Sequence, residues 1–454
     1  MGGREHWQEV EHVREIQQSQ TLDRIGYAGE HLMNRKTSAP RMPLETVRNV
    51  MCLGALAFLI FASYEVARSP LKALLTVRYG ADALPYAWLG VAVAVTVTVM
   101  FYGRAAACTS IRHLYGRVVV LSSMILAGCL SLHAASVPGV EFLLFIWKDV
   151  YIVLLGEMFW TMANRLFELK RAKYVFGLFC ALGSLGAFAG SWAIKTYAQS
   201  IGAAQLPWLV IPILVVSIPV VFGLPRMGVK AAPEKPALTD GLKRVLGHRY
   251  LLHILGMIAC VQLAVNLMDY QLTHMIQLEH PGQDQQAATF GHIYGNISQL
   301  ALVLQLSCGL ILGLYGISGT LKRVPLILFG VLAAFAFLPS LALISAAFVL
   351  AKSLDYSLFR AAKEALYLPL EDQERTQGKA VIDMMIYRVA KGGASLLLIT
   401  LAASGVSMGS VALLCLAAVF LWIILTWRLI PLYLKRRSAH LKQDVDSLTD
   451  LTLH

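Results

Sequence analysis

The chain has 454 residues, 57% of them hydrophobic and only 15% charged, with a mean hydropathy of +0.62 and a formal net charge of +12. Soluble domains carry about 25% charged residues, so the composition excludes one and marks an integral membrane protein. The cations lie in short loops between apolar runs, which reads as the cytoplasmic bias of membrane proteins and not as a nucleic-acid footprint. The seven cysteines are scattered through apolar segments without paired or metal-ligand spacing, so no metal and no cofactor is expected.

Residues 1–46 are polar and rich in acids, unlike a secretory or transit peptide. Trp7, Val10, Val13 and Ile16 recur at helical spacing, so the segment reads as a cytoplasmic amphipathic helix or as disordered chain. Beyond it, a helix needs about 20 apolar residues to cross a bilayer. That rule gives about twelve spans, near 48–67, 83–104, 117–137, 141–164, 174–198, 206–224, 250–276, 293–317, 323–340, 341–367, 380–403 and 408–429.

The first span carries Glu65, Arg68 and Lys72 on one face, with Pro70 expected to interrupt the helix and free a carbonyl. The fourth carries Lys148 and Asp149 toward its start, then Glu157, Trp160 and Asn164. Nine residues separate Lys148 from Glu157, half a turn out of phase, so they are not expected to pair within that helix. In the fifth, Gly186 and Gly190 form a GxxxG and predict close helix packing, as do Gly392 and Gly393 in the eleventh. The seventh has a polar step of Asn266, Asp269, Tyr270 and Thr273, with Asp269 a candidate proton relay or a counter-ion to Lys148 or Arg388. The tenth presents Lys352, Asp355, Tyr356, Arg360, Lys363 and Glu364. The eleventh presents Asp383, Tyr387, Arg388 and Lys391. Arg388 and Lys391 are one turn apart and able to reach one phosphate or carboxylate together, the arginine as a planar fork and the lysine as a point charge. An ionised group in the lipid core costs roughly 2.5–3.5 kcal/mol, so residues of this kind belong to a bundle interior or a watery cavity.

Lys and Arg gather in the loops after spans two, four, eight, ten and twelve, whereas Ser136–Gly139, Gln199–Gln205 and Ser404–Ser407 carry none. Both termini are therefore expected in the cytoplasm. A polar segment, 226–249, divides the spans six and six, giving 47–225 and 250–432 as halves and 433–454 as a cytoplasmic tail. The expected fold is all-α and membrane-embedded, two six-helix halves of the major facilitator type. A weak internal repeat supports it: FWTMANRLFELKRAKYVFGLFCALGSLGAFAG (159–190) and LFRAAKEALYLPLEDQERTQGKAVIDMMIYRVAKGGASL (358–396) each join two spans through a basic loop. No Walker A loop, HExxH or nucleophile elbow is present, which argues against an ATP-driven pump or an enzyme.

The 358–396 segment also resembles the ATP/ADP translocase family of intracellular bacteria and plastids. Lys363, Glu364, Tyr367, Pro369, Leu370, Gly378, Lys379, Ala380, Ile382, Asp383, Arg388, Lys391 and Gly393 carry the likeness. FWTMANRLFELKRAKYVFGLF (159–179) and YEVARSPLKALL (64–75) are similar to two further motifs of that family, and GADALPYAWL (80–89) to its shorter bacterial members. The chain departs from the family where the exchangers carry an acid and this sequence has Lys148, and at Asp269, slightly out of register with a family Glu. The resemblance implies a major-facilitator-like fold, exchange of nucleotides, and phosphate binding by Lys72 and the cations of the eleventh span.

The combined expectation is a monomeric inner-membrane secondary transporter working by alternating access on an anionic, phosphate-bearing solute, a nucleotide first. Arg68, Lys72, Lys148, Asn164, Lys363, Tyr387, Arg388 and Lys391 would bind the substrate. Glu65, Glu157, Asp269, Glu364 and Asp383 would gate or couple, with a proton or a counter-substrate as the partner ion. The alternatives are a proton-coupled carrier of another organic anion or amphiphile, such as a lysophospholipid or siderophore, and a non-transporting receptor or scaffold that recruits partners through residues 1–46. Deleting residues 1–46 separates the last from the others. A transporter should keep most of its uptake in proteoliposomes, and a scaffold should lose its function.

Overall fold

The computed structural model describes residues 44–167, 169–227, 243, 245–371, 374, 378, 382 and 387–452, without the side chains of 169–174, 387–388 and 440–452. The expected amphipathic helix within 1–46, most of the 226–249 linker and Asp383 lie outside the described residues. The chain divides into two units, Met1–Asn49 and Val50–His454, and the second holds the helical bundle.

The helices are α1 (Leu44–Tyr79), α2 (Ala83–Cys108), α3 (Ile111–Ala134), α4 (Val140–Leu166), α5 (Leu169–Ile201), α6 (Val210–Phe222), α7 (Arg249–Glu279), α8 (Gln283–Leu306) and α9 (Cys308–Phe337). A 3-10 turn, Leu206–Leu209, leads into α6. Then α10 (Leu341–Leu354) passes through a π-helical turn, Asp355–Phe359, into α11 (Arg360–Leu366), followed by α12 (Tyr387–Ala403) and α13 (Met408–Thr452). Eight of the described helices are long and apolar enough to cross a membrane. The shorter apolar pieces Leu206–Phe222 and Val389–Ala403 add to them. The helices α4 and α8 fall outside that set because one carries Lys148, Asp149 and Glu157 and the other opens on Gln283, Asp284, Gln285 and Gln286. Met124, Leu143, Leu310 and Leu413 are each more than half exposed, which suits lipid and not water.

Several expected boundaries shift. The eighth span is 283–306, not 293–317: a polar face starts it early and the break at Ser307 ends it. Residues 308–315 instead open α9, which turns at Gly316 through φ 67° and ψ 169°, a conformation open to glycine. The helix of the twelfth span runs on to Thr452, because 434–443 is rich in Leu, Lys, Arg and Gln, which favour helix. Pro70 does not interrupt α1, which stays helical from Leu44 to Tyr79. The missing proline N–H leaves only the carbonyl of Val66 without its usual donor.

Within the N-terminal half α3 packs on α4 and α6, and α2 on α4; within the C-terminal half α7 packs on α10, α12 and α13, and α9 on α13. The halves meet along α5 with α8 and α2 with α12, contacts that exchange under a six-span repeat. Hydrogen bonds tie them at the end bearing the cation-poor loops. Ala81 N donates to Gln277 Oε1 at 2.8 Å, Thr76 Oγ1 to Gln286 Oε1 at 2.8 Å and Ala203 N to Asp284 Oδ1 at 2.7 Å, and Tyr270 donates to Asp82.

Gly186 and Gly190 act as their spacing predicts. A Cβ on Gly186 would lie 2.2 Å from the carbonyl oxygen of Phe58, and one on Gly190 would lie 2.5 Å from that of Ala62, so α1 and α5 touch backbone to backbone. Gly291 of α8 does the same against α5, with the Lys195 backbone nitrogen 2.9 Å away. Gly392 and Gly393 do not: a Cβ on either meets nothing within 4 Å, so the close packing expected there is absent among the described residues. Gly186→Leu should therefore lower the thermal unfolding temperature in detergent, at an overpacking cost of about 1–3 kcal/mol. Gly392→Ala should hold or raise it, by roughly 0.5–1 kcal/mol of helix propensity. Equal effects at the two positions would contradict this assignment of the interface.

Candidate substrate cavity

Three turns of α1 place Tyr64, Arg68 and Lys72 in one column, because residues four apart share a helix face. Gln262, Asn266 and Asp269 do the same on α7, and Lys352 and Tyr356 on α10 and its π turn. These columns line a cavity of about 350 Å³ together with Trp88, Val91 and Val95 of α2, Phe145, Lys148 and Asp149 of α4, Tyr294 of α8 and Lys391 of α12. Both halves contribute, and the volume is of the size that holds small ligands. Among the described lining residues, Arg68, Lys72, Lys148, Lys352 and Lys391 stand with two carboxylates, Asp149 and Asp269, so the lining is rich in cations.

The charges are organised by two carboxylates that bridge helices. Lys72 Nζ donates to Asp269 Oδ1 at 2.5 Å and lies 3.4 Å from the hydroxyl of Tyr294, joining α1 to α7 and α8. Lys72 is only 3% exposed, so it does not snorkel to the membrane surface. Asp149 accepts from Lys148 at 2.9 Å and from the Tyr64 hydroxyl at 3.0 Å, and Lys391 Nζ lies 3.9 Å from its other oxygen. This second centre joins α1 and α4 to α12. Arg68 is held by Glu65 at 3.0 Å and stacks its guanidinium 3.6 Å above the centre of the Tyr294 ring. Lys148 sits 3.8 Å over Phe145 and Lys72 4.5 Å over Phe290. Aromatic faces thus soften the cost of holding cations out of water.

Of the residues singled out from the sequence, Arg68, Lys72, Lys148, Asp269 and Lys391 come together here, with Glu65 behind Arg68 and 3.4 Å from Ser191 Oγ of α5. Asp269 pairs with Lys72 and not with Lys148. Glu157 and Asn164 are exposed and do not line the cavity. The half-turn offset that separates Glu157 from Lys148 puts them on opposite sides of α4. Lys363 and Glu364, on α11 beyond the π turn, are half-buried outside the cavity and engaged with partners of their own. Tyr387 and Arg388 open α12, their side chains outside the described residues, as is Asp383.

Sequence reasoning does not select Tyr64, Asp149, Gln262, Tyr294, Lys352 or Tyr356 as site residues. Lys352 and Tyr356 are legible as part of a polar stripe, but the π turn that re-aims it is not. Such turns recur at functional sites. Asp149 reads as a simple neighbour of Lys148, whereas it is the centre of the second ion cluster.

Breaking a buried ion pair by removing one partner costs roughly 3–5 kcal/mol, while replacing both with apolar groups can be neutral. Asp269→Leu should accordingly destabilise the protein in a thermal melt. The double substitution Lys72→Met with Asp269→Leu should recover most of the loss. A double variant no more stable than the single would mean that the pair does not hold the two halves.

Residues 214–437 match the model of the TLC ATP/ADP transporter family. ADP,ATP carrier protein 1 of Chlamydia pneumoniae is 24% identical over 346 residues, 64% of this chain and 67% of that protein. The plastidic ATP/ADP-transporter of Solanum tuberosum is 23% identical over 445 residues, covering 81% of this chain and 70% of the relative. The matches therefore span about two thirds of the relatives' length. Among solved structures, a mutant of the nucleoside transporter NupG superposes with a TM-score of 0.64 at 13% identity, over 84% of this chain and 99% of that one. FucP, a major facilitator transporter in its outward conformation, gives 0.52 over 84% and 99%. The protein is thus a multi-span helical membrane protein with the major facilitator fold, similar in sequence to the ADP,ATP carriers and matching the TLC ATP/ADP transporter family model over its C-terminal half.

Proposed function

We propose that this protein is a secondary transporter that exchanges a phosphate-bearing nucleotide, ATP or ADP first, by alternating access across a bacterial inner membrane, with both termini in the cytoplasm. The observation that carries the reading is the cationic cavity, two of whose lysines face carboxylates from the opposite half of the molecule. Lys72 with Asp269 and Lys391 with Asp149 are pairs that span the two halves. Rocking the halves apart breaks such pairs, and a bound polyphosphate takes over as the counter-charge. An anion that binds the separated and closed arrangements differently then shifts their populations, the requirement for driven interconversion. The relatives' names point the same way, since they are carriers of ADP and ATP. The likeness to NupG supports the fold alone.

A proton-coupled reading has one observation in its favour. Asp269 lies within the cavity and is one-fifth exposed while holding Lys72, so protonation there would release the cross-half pair. Collapsing the proton gradient in proteoliposomes separates the two readings: exchange driven by counter-substrate should persist, and proton-driven uptake should not.

The direct test is ligand-induced thermal stabilisation across nucleotides, inorganic phosphate, other organic anions and lysolipids. Saturation a hundredfold above Kd should add about 2.7 kcal/mol. ATP or ADP should raise the melting temperature. Lys391→Gln, which removes one charge-assisted contact, should weaken that binding by about 1.5–3 kcal/mol, roughly ten- to hundredfold, while leaving the unliganded protein folded. A flat response to every nucleotide, with a shift from another anion or an amphiphile, would overturn the nucleotide assignment.

A further inference from the structure

Of the lining cations, Arg68, Lys72, Lys148 and Lys391 each have a carboxylate, and Lys352 lies 5.6 Å over the ring of Tyr356. Two lining amides are not held in this way. Gln262 and Asn266 sit one turn apart on α7, only 5% and 8% exposed, and both line the cavity. Among the described residues neither side chain has a hydrogen-bond partner, and their polar atoms are not among those shut away from the cavity space. Their amides open on the cavity without a protein partner among the described residues, so both are available to a group that occupies it.

The rest of the cavity says what that group is. Trp88, Val91 and Val95 of α2, with Phe145 of α4, give it an apolar and aromatic wall. The cations are provided separately, by Arg68, Lys72, Lys148 and Lys391. A carboxamide has a donor and an acceptor side by side in one plane, and it carries no charge. It suits a planar, uncharged ring with neighbouring N–H and ring-nitrogen or carbonyl groups, the pairing by which Asn and Gln read a base edge in nucleic acids. Phosphate, which offers acceptors alone and carries charge, is served by the lysines.

We propose that Gln262 and Asn266 form a nucleobase subsite, in which the two amides hydrogen-bond the edge of the heterocycle and the α2 wall covers its apolar surface. This rests on the nucleotide reading and assigns the part of the substrate that the cations do not touch. The subsite makes the ring, and not the phosphate chain alone, a determinant of affinity.

The test compares ATP with inorganic tripolyphosphate, which has the phosphates and no base, by calorimetry on the purified full-length protein. The wild type should bind ATP at least about tenfold more tightly than tripolyphosphate, since two net hydrogen bonds and ring burial are lost with the base. Gln262→Met and Asn266→Leu, close in volume and without hydrogen-bonding groups, should each weaken ATP by roughly three- to tenfold and leave tripolyphosphate unchanged. Lys391→Gln should weaken both ligands. Retained tripolyphosphate binding also certifies that each variant is folded, and the wild-type ratio stands without any variant. If the wild type binds both ligands equally, or the amide variants weaken both equally or neither, the subsite is wrong while the nucleotide reading stands. If the wild type binds tripolyphosphate or another anion but no nucleotide, both fall together.

Discussion

The lysine of α1 and the aspartate of α7 sit 2.5 Å apart in the interior of a protein built almost wholly of apolar helices. Much of the architecture follows from keeping that pair satisfied. Lys72 is shut off from water, so Asp269 must come from the opposite half, Tyr294 must present its hydroxyl, and Phe290 must offer its ring face. The two helices are fixed in register at one point, and the hydrogen bonds one turn further along close the cation-poor end around them. A buried pair of this kind is weak evidence for stability, because desolvation offsets most of the attraction.

Asp149 repeats the arrangement with a different geometry. It gathers a lysine from its own helix, a tyrosine from α1 and a lysine from α12. The cavity therefore has two anionic centres, each joining groups from both halves, with Arg68, held by Glu65, in the α1 column. Cations outnumber carboxylates among the described lining residues. The glycine contacts of α5 with α1 and α8 set how near these helices come.

The membrane explains the remaining surface. Large apolar side chains that would aggregate in water cover the outside of α2, α3, α9 and α13. Polar residues concentrate in the cavity, at the helix ends and in the basic loops. The helices that fall short of an ordinary span, α4 and α8, do so because they spend part of their length on the cavity and on the closed end, each facing the interior with groups that lipid would reject.

Composition and periodicity established the membrane class of the protein and the position of most of its helices, and the motifs of 64–75, 159–179 and 358–396 carried the family likeness. The first two follow from apolar runs of some twenty residues, which the bilayer thickness imposes on any chain. The same pattern required Arg68, Lys72, Lys148, Asp269 and Lys391 to turn inward, since charges inside apolar runs have nowhere else to go. Pairing was beyond it. Asp269 could have answered Lys148 or Arg388 as well as Lys72, and helical spacing says nothing about which helix lies opposite. The direction in which Glu157 and Asn164 point depended on how α4 is rotated in the bundle. The approach at Gly186 and its absence at Gly392 depended on which neighbour each helix has. The role of Tyr356 depended on a π turn that leaves no mark in the residue pattern. Those outcomes rest on contacts between segments far apart in the chain, such as Lys72 with Asp269. Packing in three dimensions decides which of them meet.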